Sequence, residues 1–97
     1  MAMYLTLLKF TEQGVKNIKD TCKRAGDFRT KAKSLGIEIK EQFWSLGAYD
    51  GGIVFQAPDD ETATAAMLSL SALNNVTTQT LRTFDAAEMG KIVARMS

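Results

Sequence analysis

The order in which strand-like and helix-like patterns alternate constrains the fold of this chain more than any other feature of its sequence. Short segments with alternating or β-branched residues predict strands, and longer segments with apolar residues at helical spacing predict helices. The predicted strands are residues 3–10, about 37–46, 53–57 and about 76–84. The predicted helices run from Thr11 to Gly36, from Asp59 to Asn74, and onward from Asp85. The resulting order is β-α-β-β-α-β-α, with a hairpin between the second and third strands.

Capping residues predict where these helices begin and end. Thr11 stands where it would cap the first helix, and Gly36 stands where it would end it. Asp59 and its acidic neighbours put negative charge at the start of the second helix, where the helix dipole favours it. Asp85 and Glu88 have the spacing of a capping box and predict the start of the last helix.

This order predicts an α+β fold of the ferredoxin-like type. With two right-handed crossovers, the βαββαβ unit forms an antiparallel sheet with two helices on one face, and a C-terminal helix follows it. The first strand is apolar on both faces, with Met3, Leu5 and Leu7 on one and Tyr4, Leu8 and Phe10 on the other. Strands of this kind are usually buried on both sides. Because two helices cover only one face, we expect a second copy to cover the other, giving a homodimer.

The second strand and the hairpin turn are predicted by simple alternation. Strict alternation places Ile37, Ile39 and Phe43 on one face of the strand, and Trp44 and Leu46 on the other. The glycine-rich residues 47–52 are predicted to form the turn that leads into the third strand.

Segments spread along the chain resemble the GYD-domain family of small bacterial proteins, named for a Gly-x-Tyr-Asp signature. They are residues 43–50 (FWSLGAYD), 57–60 (APDD), 76–84 (VTTQTLRTF) and 87–89 (AEM). The resemblance covers nearly the whole chain and implies a dimeric α/β-barrel of ferredoxin-like type. It implies no activity and no site residues. Gly51 and Gly52 depart from the family's apolar strand residues, and we expect them to loosen the hairpin.

The composition excludes several classes of function. The chain has no histidine, which removes the commonest general base and metal ligand. It has no P-loop, no dinucleotide-binding glycine fingerprint and no paired-cysteine zinc motif. We therefore predict no metal and no cofactor. A net charge of +1 and the lack of a recognisable module argue against nucleic acid as a partner, although residues 16–40 are basic.

Length and residue usage place the chain in a broad class. Its 97 residues are predicted to form a single domain, 1–97. No apolar run approaches the ~20 residues that cross a bilayer, so no membrane association is expected. A single cysteine, Cys22, fits a reducing compartment, and we expect a cytoplasmic protein. Cys22 lies on the apolar stripe of the first helix and is predicted to be buried, as are Met67, Met89 and Met96.

Five polar or aromatic residues are candidates for binding a ligand: Tyr4, Trp44, Tyr49, Asp50 and Arg82. Tyr4, Trp44 and Arg82 have the chemistry of a pocket for a small anionic or aromatic ligand, but Trp, Tyr and Arg are also enriched at interfaces. Tyr49 and Asp50 have groups that bind or polarise a ligand. We favour a structural role for this pair, because an aspartate in a turn accepts backbone N–H groups of that turn with its carboxylate.

Two functions of different classes follow. The first is a non-enzymatic homodimeric module that binds a small molecule or a protein partner. The alternative is a cofactor-free small enzyme, such as a monooxygenase or isomerase, with a pocket between sheet and helices. The lack of histidine and of an evident acid–base pair favours the first.

Overall fold

The computed structural model describes all 97 residues, Met1–Ser97, and contains four strands and four α-helices. The strands are β1 (Ala2–Phe10), β2 (Glu38–Trp44), β3 (Gly51–Ala57) and β4 (Val76–Thr83). The helices are α1 (Glu12–Lys16), α2 (Thr21–Ser34), α3 (Asp60–Ala72) and α4 (Ala86–Ala94). A short 3₁₀ segment, Ile18–Asp20, lies between α1 and α2.

The strands form one antiparallel sheet in the order β2-β3-β1-β4. The predicted ferredoxin-like α+β fold is therefore confirmed. Residues of α2 and α3 join those of the sheet in one buried core, so both helices cover the same face, which we call the helix face. The opposite face is called the open face. Its apolar side chains include Leu5, Leu7 and Val54, which are half-buried, and Phe43 and Leu81, which are exposed.

The core packs between the helix face and the two helices. Phe55 is fully buried at its centre and stacks on Tyr4, with ring centroids 5.1 Å apart. The buried Thr6 satisfies its hydroxyl with Thr80 Oγ1 at 2.8 Å and Met67 Sδ at 3.2 Å. The other core residues are Phe28, Ala32, Ile37, Ile53, Ala57, Ala63 and Ala66. The prediction that Met67 is buried is confirmed.

The predicted helix ends are confirmed by their hydrogen bonds. The Thr11 side chain accepts from the N–H of Gly14, and the Asp85 and Glu88 side chains and backbones bond reciprocally as a capping box. At the end of α2, Gly36 has φ +80°, and the N–H of Ile37 donates to the carbonyl of Ala32 at 3.0 Å. These are the features of a Schellman motif, which requires the left-handed conformation that glycine adopts most readily.

The single first helix that we predicted is wrong, because it is interrupted after Lys16. The 3₁₀ segment winds with three residues per turn, so it changes the phase of the apolar stripe before α2 begins. Only the later part of the stripe reaches the core, through Phe28 and Ala32. Cys22 is exposed, which corrects the prediction that it is buried.

A β-bulge in β2 reverses the predicted faces of that strand. Ile39 pairs with Phe55 and Glu41 with Val54, which leaves Lys40 without a partner. One extra residue moves every later side chain to the other face. The prediction that Ile37, Ile39 and Phe43 share a face is therefore wrong for Phe43. Phe43 lies on the open face and Trp44 on the helix face, and Leu46 lies beyond the strand and is fully exposed.

Gly51 and Gly52 are strand residues and not part of the turn, contrary to prediction. Both are buried within β3. A Cβ on Gly52 would lie 2.6 Å from Cζ of Phe43, so the missing side chain makes room for the Phe43 ring. A Cβ on Gly51 would lie 2.5 Å from the Phe43 carbonyl oxygen. The two glycines thus permit a close approach of β2 and β3, and they do not loosen the hairpin.

The last helix, α4, extends away from the rest of the molecule. None of its residues is buried, and no other helix or strand packs broadly against it. Met89 and Met96 are 49% and 74% exposed, so the prediction that they are core residues is wrong for this chain. The molecule is elongated, with extents of 51 × 31 × 19 Å. No helix combines the length and the apolar character that crossing a bilayer requires.

Candidate functional site

The Gly-x-Tyr-Asp signature forms the end of the β2–β3 hairpin and ties it to the neighbouring strands. Gly47 has φ +108°, a left-handed conformation that side chains disfavour. The Asp50 carboxylate accepts the N–H of Phe10 at 2.8 Å, and the Asp50 N–H donates to the carbonyl of Leu8 at 2.8 Å. We predicted that this carboxylate would accept backbone N–H groups of the turn. Its partner belongs to β1 instead, so Asp50 links the end of the β2–β3 hairpin to β1.

The side chain of Tyr49, from the same loop, lies on the open face of the sheet. Its hydroxyl donates to Oε1 of Gln79 at 3.0 Å, and the Lys9 ammonium lies 5.4 Å from the centre of its ring. Gln79 belongs to β4, at the far edge of the sheet from β2. Tyr49 and Asp50 together therefore connect the hairpin to β1 and β4.

Tyr4 and Arg82 meet on the helix face, at the start of α3. The buried Tyr4 hydroxyl donates to Oδ1 of Asp60, and the Arg82 guanidinium lies 5.7 Å from the Tyr4 ring centre. Burial raises the pKa of the Tyr4 phenol to about 12, and the hydrogen bond and negative charge of Asp60 add to this rise. Arg82 lowers the same pKa, but its effect is smaller. The phenol therefore stays protonated and remains a donor well above pH 10, where an ordinary tyrosine ionises.

Arg82 also connects the sheet to α4. Its guanidinium lies 4.6 Å from the centre of the Phe84 ring and forms an ion pair with Glu88 at 3.4 Å. Both charged side chains are partly exposed, so the pair contributes at most about 1 kcal/mol to stability. This is the most evident attachment between α4 and the sheet.

Trp44 and Asp50 line a cleft on the helix face, between α2 and the C-terminal end of α3. The Trp44 indole N–H donates to Oγ1 of Thr21 at 3.0 Å, which fixes the ring against α2. The cleft has a volume of about 190 Å³ and is mostly apolar. Its lining also includes Arg24 and Phe28 from α2.

The five predicted site residues do not form one pocket. Tyr4 and Arg82 lie together, Trp44 and Asp50 lie together in the cleft, and Tyr49 faces Gln79. Trp44 in β2 and Arg82 in β4 lie on opposite edges of the sheet, three strand spacings or roughly 14 Å apart across it. Tyr4 and Asp50 are separated along β1 instead, because Asp50 bonds to Phe10, at the other end of that strand from Tyr4.

Phe28 and Arg24 were not identified from the sequence, although they supply an aromatic ring and a positive charge to the cleft. Phe28 lies three residues after Ala25, at the spacing of the apolar stripe, and this spacing was a signal that it faces the core. Arg24 lies four residues before Phe28 and therefore on the same side of α2. Asp60, the partner of Tyr4, had no local signal that distinguished it from Asp59. No group of three or more metal-ligating side chains occurs in the structure.

Comparison with known proteins identifies the family. The model of the GYD domain matches residues 4–93 of the chain. A relative from Thermus thermophilus is 27% identical over 90 residues, which cover 92% of this chain and 95% of the relative. That relative is named "Glutamine synthetase and cystathionine beta-lyase binding protein". No solved structure gives a significant match. Because the family model spans almost the entire fold described above, this chain belongs to the GYD domain family.

Proposed function

We propose that this protein is a non-enzymatic, homodimeric module that binds a protein partner through its C-terminal helix. The observation that carries the proposal is the uncovered apolar side of α4. Met89, Ile92 and Val93 of α4, with Met96 just beyond its end, follow the i, i+3, i+4, i+7 spacing of a helix that docks into a groove, and all are exposed. The name of the Thermus thermophilus relative, which matches along nearly its whole length, supports a binding function of this kind.

The residues of α4 indicate what kind of surface this helix would bind. An isolated helix of nine residues is marginal in water, so α4 gains most of its stability when its apolar side is covered. Met89 in the helix and Met96 just after it are flexible and adapt to irregular surfaces, which suits a module with more than one partner. Lys91 lies on the opposite side of the helix, next to Ala87. We therefore propose an apolar groove as the complementary surface.

The open face is the proposed homodimer interface. Phe43 and Leu81 are 42% and 41% exposed there, beside the half-buried Leu5, Leu7 and Val54. A second copy related by a two-fold axis would cover this face with the same face of its own sheet. The dimer would then present two α4 helices, and simultaneous engagement of both by an oligomeric enzyme would raise the overall affinity.

The dimer is tested by light scattering at micromolar concentration. We expect a mass about twice that of the 10.6 kDa chain. Leu81→Lys should give a folded monomer, because this exposed edge residue tolerates charge in a single chain but not in an apolar interface. Ala72→Lys, on the exposed side of α3, adds the same charge and should stay dimeric. A wild-type monomer, or a Leu81→Lys dimer, would contradict the proposed interface.

Partner binding is tested with purified glutamine synthetase and cystathionine β-lyase from the organism that encodes this chain. Co-sedimentation with at least one of them is expected. Ile92→Glu places a charge on the apolar side of α4 and should weaken the complex at least tenfold. Ala87→Glu adds the same charge on the opposite side of the helix and serves as the control. If neither enzyme sediments with the wild type, or if Ile92→Glu binds as well as Ala87→Glu, the proposal is wrong.

A further inference from the structure

The cleft between α2 and α3 has the form of a binding site for a small molecule. The two helices cover the same face of the sheet but do not pack broadly against each other, which leaves a groove between them. The floor comes from β1, β2 and β3 and the walls come from the helices. Its apolar lining includes Leu8, Ile53, Phe28, Trp44, Leu70 and Leu73. The volume of about 190 Å³ equals that of roughly six water molecules at ~30 Å³ each.

One polar group in the wall of this cleft has no partner. Arg24 donates from Nη1 to the carbonyl of Asn17 at 2.7 Å. Its Nη2 atom is buried and makes no hydrogen bond, and it is the only buried side-chain polar atom in the molecule with this property. A buried donor on a charged group is costly when unpaired, so such an atom calls for an acceptor that the chain itself does not provide.

The remaining charges around the cleft favour an anion. Asp27 is already paired with Lys23 at 3.2 Å, and the Asp50 carboxylate accepts the N–H of Phe10. Lys31 also lines the cleft and takes part in no ion pair. The two carboxylates are therefore engaged, whereas the two cations, Arg24 and Lys31, form no ion pair.

The polar side chains of the floor already have hydrogen-bond partners within the chain. Gln42 donates to the carbonyl of Ala25 at 3.1 Å, and the Trp44 N–H donates to Thr21. These bonds hold the walls in place without the help of a ligand. The site is thus largely pre-formed, and Nη2 of Arg24 is its one buried side-chain donor without a partner.

We propose that this cleft binds a small monocarboxylate with an apolar body, such as an aromatic ring carrying a short acid chain. The carboxylate accepts a charge-assisted hydrogen bond from Nη2 of Arg24, because Nη1 already donates to Asn17, and Lys31 adds positive charge. The ring lies among Leu8, Phe28 and Trp44. This site is on the helix face, so its occupation does not depend on the proposed homodimer interface or on α4.

Intrinsic fluorescence provides a direct assay, because Trp44 is the only tryptophan of the chain and lines the cleft. The probes are phenylacetate, 3-phenylpropanoate and 4-methylpentanoate, each paired with its neutral amide. We expect a saturable change in Trp44 emission with at least one acid. The matched amide should bind at least tenfold more weakly, since it cannot form a charge-assisted bond to Arg24.

Two variants and one control locate the binding. Arg24→Gln should remove the preference for acid over amide. Ser69→Leu, which fills the cleft from the α3 side without a change in charge, should abolish binding of both. Arg29→Gln removes an exposed cation of the same helix outside the cleft and should leave affinity unchanged.

Circular dichroism verifies that each variant is folded. The proposal is overturned if none of the three acids gives a saturable signal, or if acids and amides bind equally well. It is also overturned if a folded Arg24→Gln variant keeps the preference for the acid. None of these measurements involves a protein partner, so their failure would leave the proposed function of α4 standing.

Discussion

Replacing Asp50 with alanine tests the physical role of the Gly-x-Tyr-Asp signature. The substitution removes the acceptor for the N–H of Phe10, which lies 2.8 Å from Oδ2 in a partly buried position. An unpaired backbone donor in such a position typically costs about 1–3 kcal/mol. For a chain of this length each kcal/mol lowers the melting temperature by about 4–8 °C. We therefore expect Asp50→Ala to melt about 4–24 °C below the wild type.

Thermal unfolding followed by circular dichroism measures this effect, and three comparisons make it specific. Asp50→Asn keeps a carbonyl acceptor and should lose less stability than Asp50→Ala. Asp27→Ala removes an exposed carboxylate whose pair with Lys23 contributes at most about 0.5 kcal/mol, so it serves as the control. Hydrogen exchange at the Phe10 amide should become faster in Asp50→Ala. If that variant melts like Asp27→Ala and protects Phe10 normally, the proposed structural role of Asp50 is incorrect.

Three further predictions concern close packing, ionisation and exposure. Gly52→Ala should destabilise the fold by about 1–3 kcal/mol, because the added Cβ would clash with the Phe43 ring. Gly26→Ala has nothing within 4 Å of its added Cβ and should stabilise α2 by about 0.5–1 kcal/mol. Urea unfolding measures both changes in stability. Because the pKa of Tyr4 rises from 10.0 to about 12 on folding, the folded state holds this proton more tightly, and about 2–3 kcal/mol of stability should be lost as the pH rises from 10 to 12. Tyr4→Phe should lack that part of the pH dependence, and equal slopes in both proteins would contradict the assignment. Cys22 is exposed, so a thiol-reactive dye should label it as quickly in native as in denatured protein; slow native labelling would contradict its exposed position.

Much of the fold was predictable because its signals are local. The Thr11 cap and the Asp85 capping box involve residues only three positions apart, and Gly36 ends α2 through bonds within one turn. The strand order followed from the sequence of elements and the handedness of crossovers. The candidate site was less predictable from the sequence, since Asp50 and its partner Phe10 are 40 residues apart and no local pattern connects them.

The sequence alone determined which segments become strands and helices, where most of them end, and which family the chain resembles. The tertiary structure decided which face each side chain occupies after Lys40, because the bulge depends on how β2 pairs with β3. That single unpaired residue turns Trp44 towards α2 and Phe43 towards the open face. The tertiary structure also decided that Arg24 lies beside a cleft with an unpaired donor, and that α4 projects without cover. These features arise from contacts between distant segments, which a pattern of neighbouring residues does not encode.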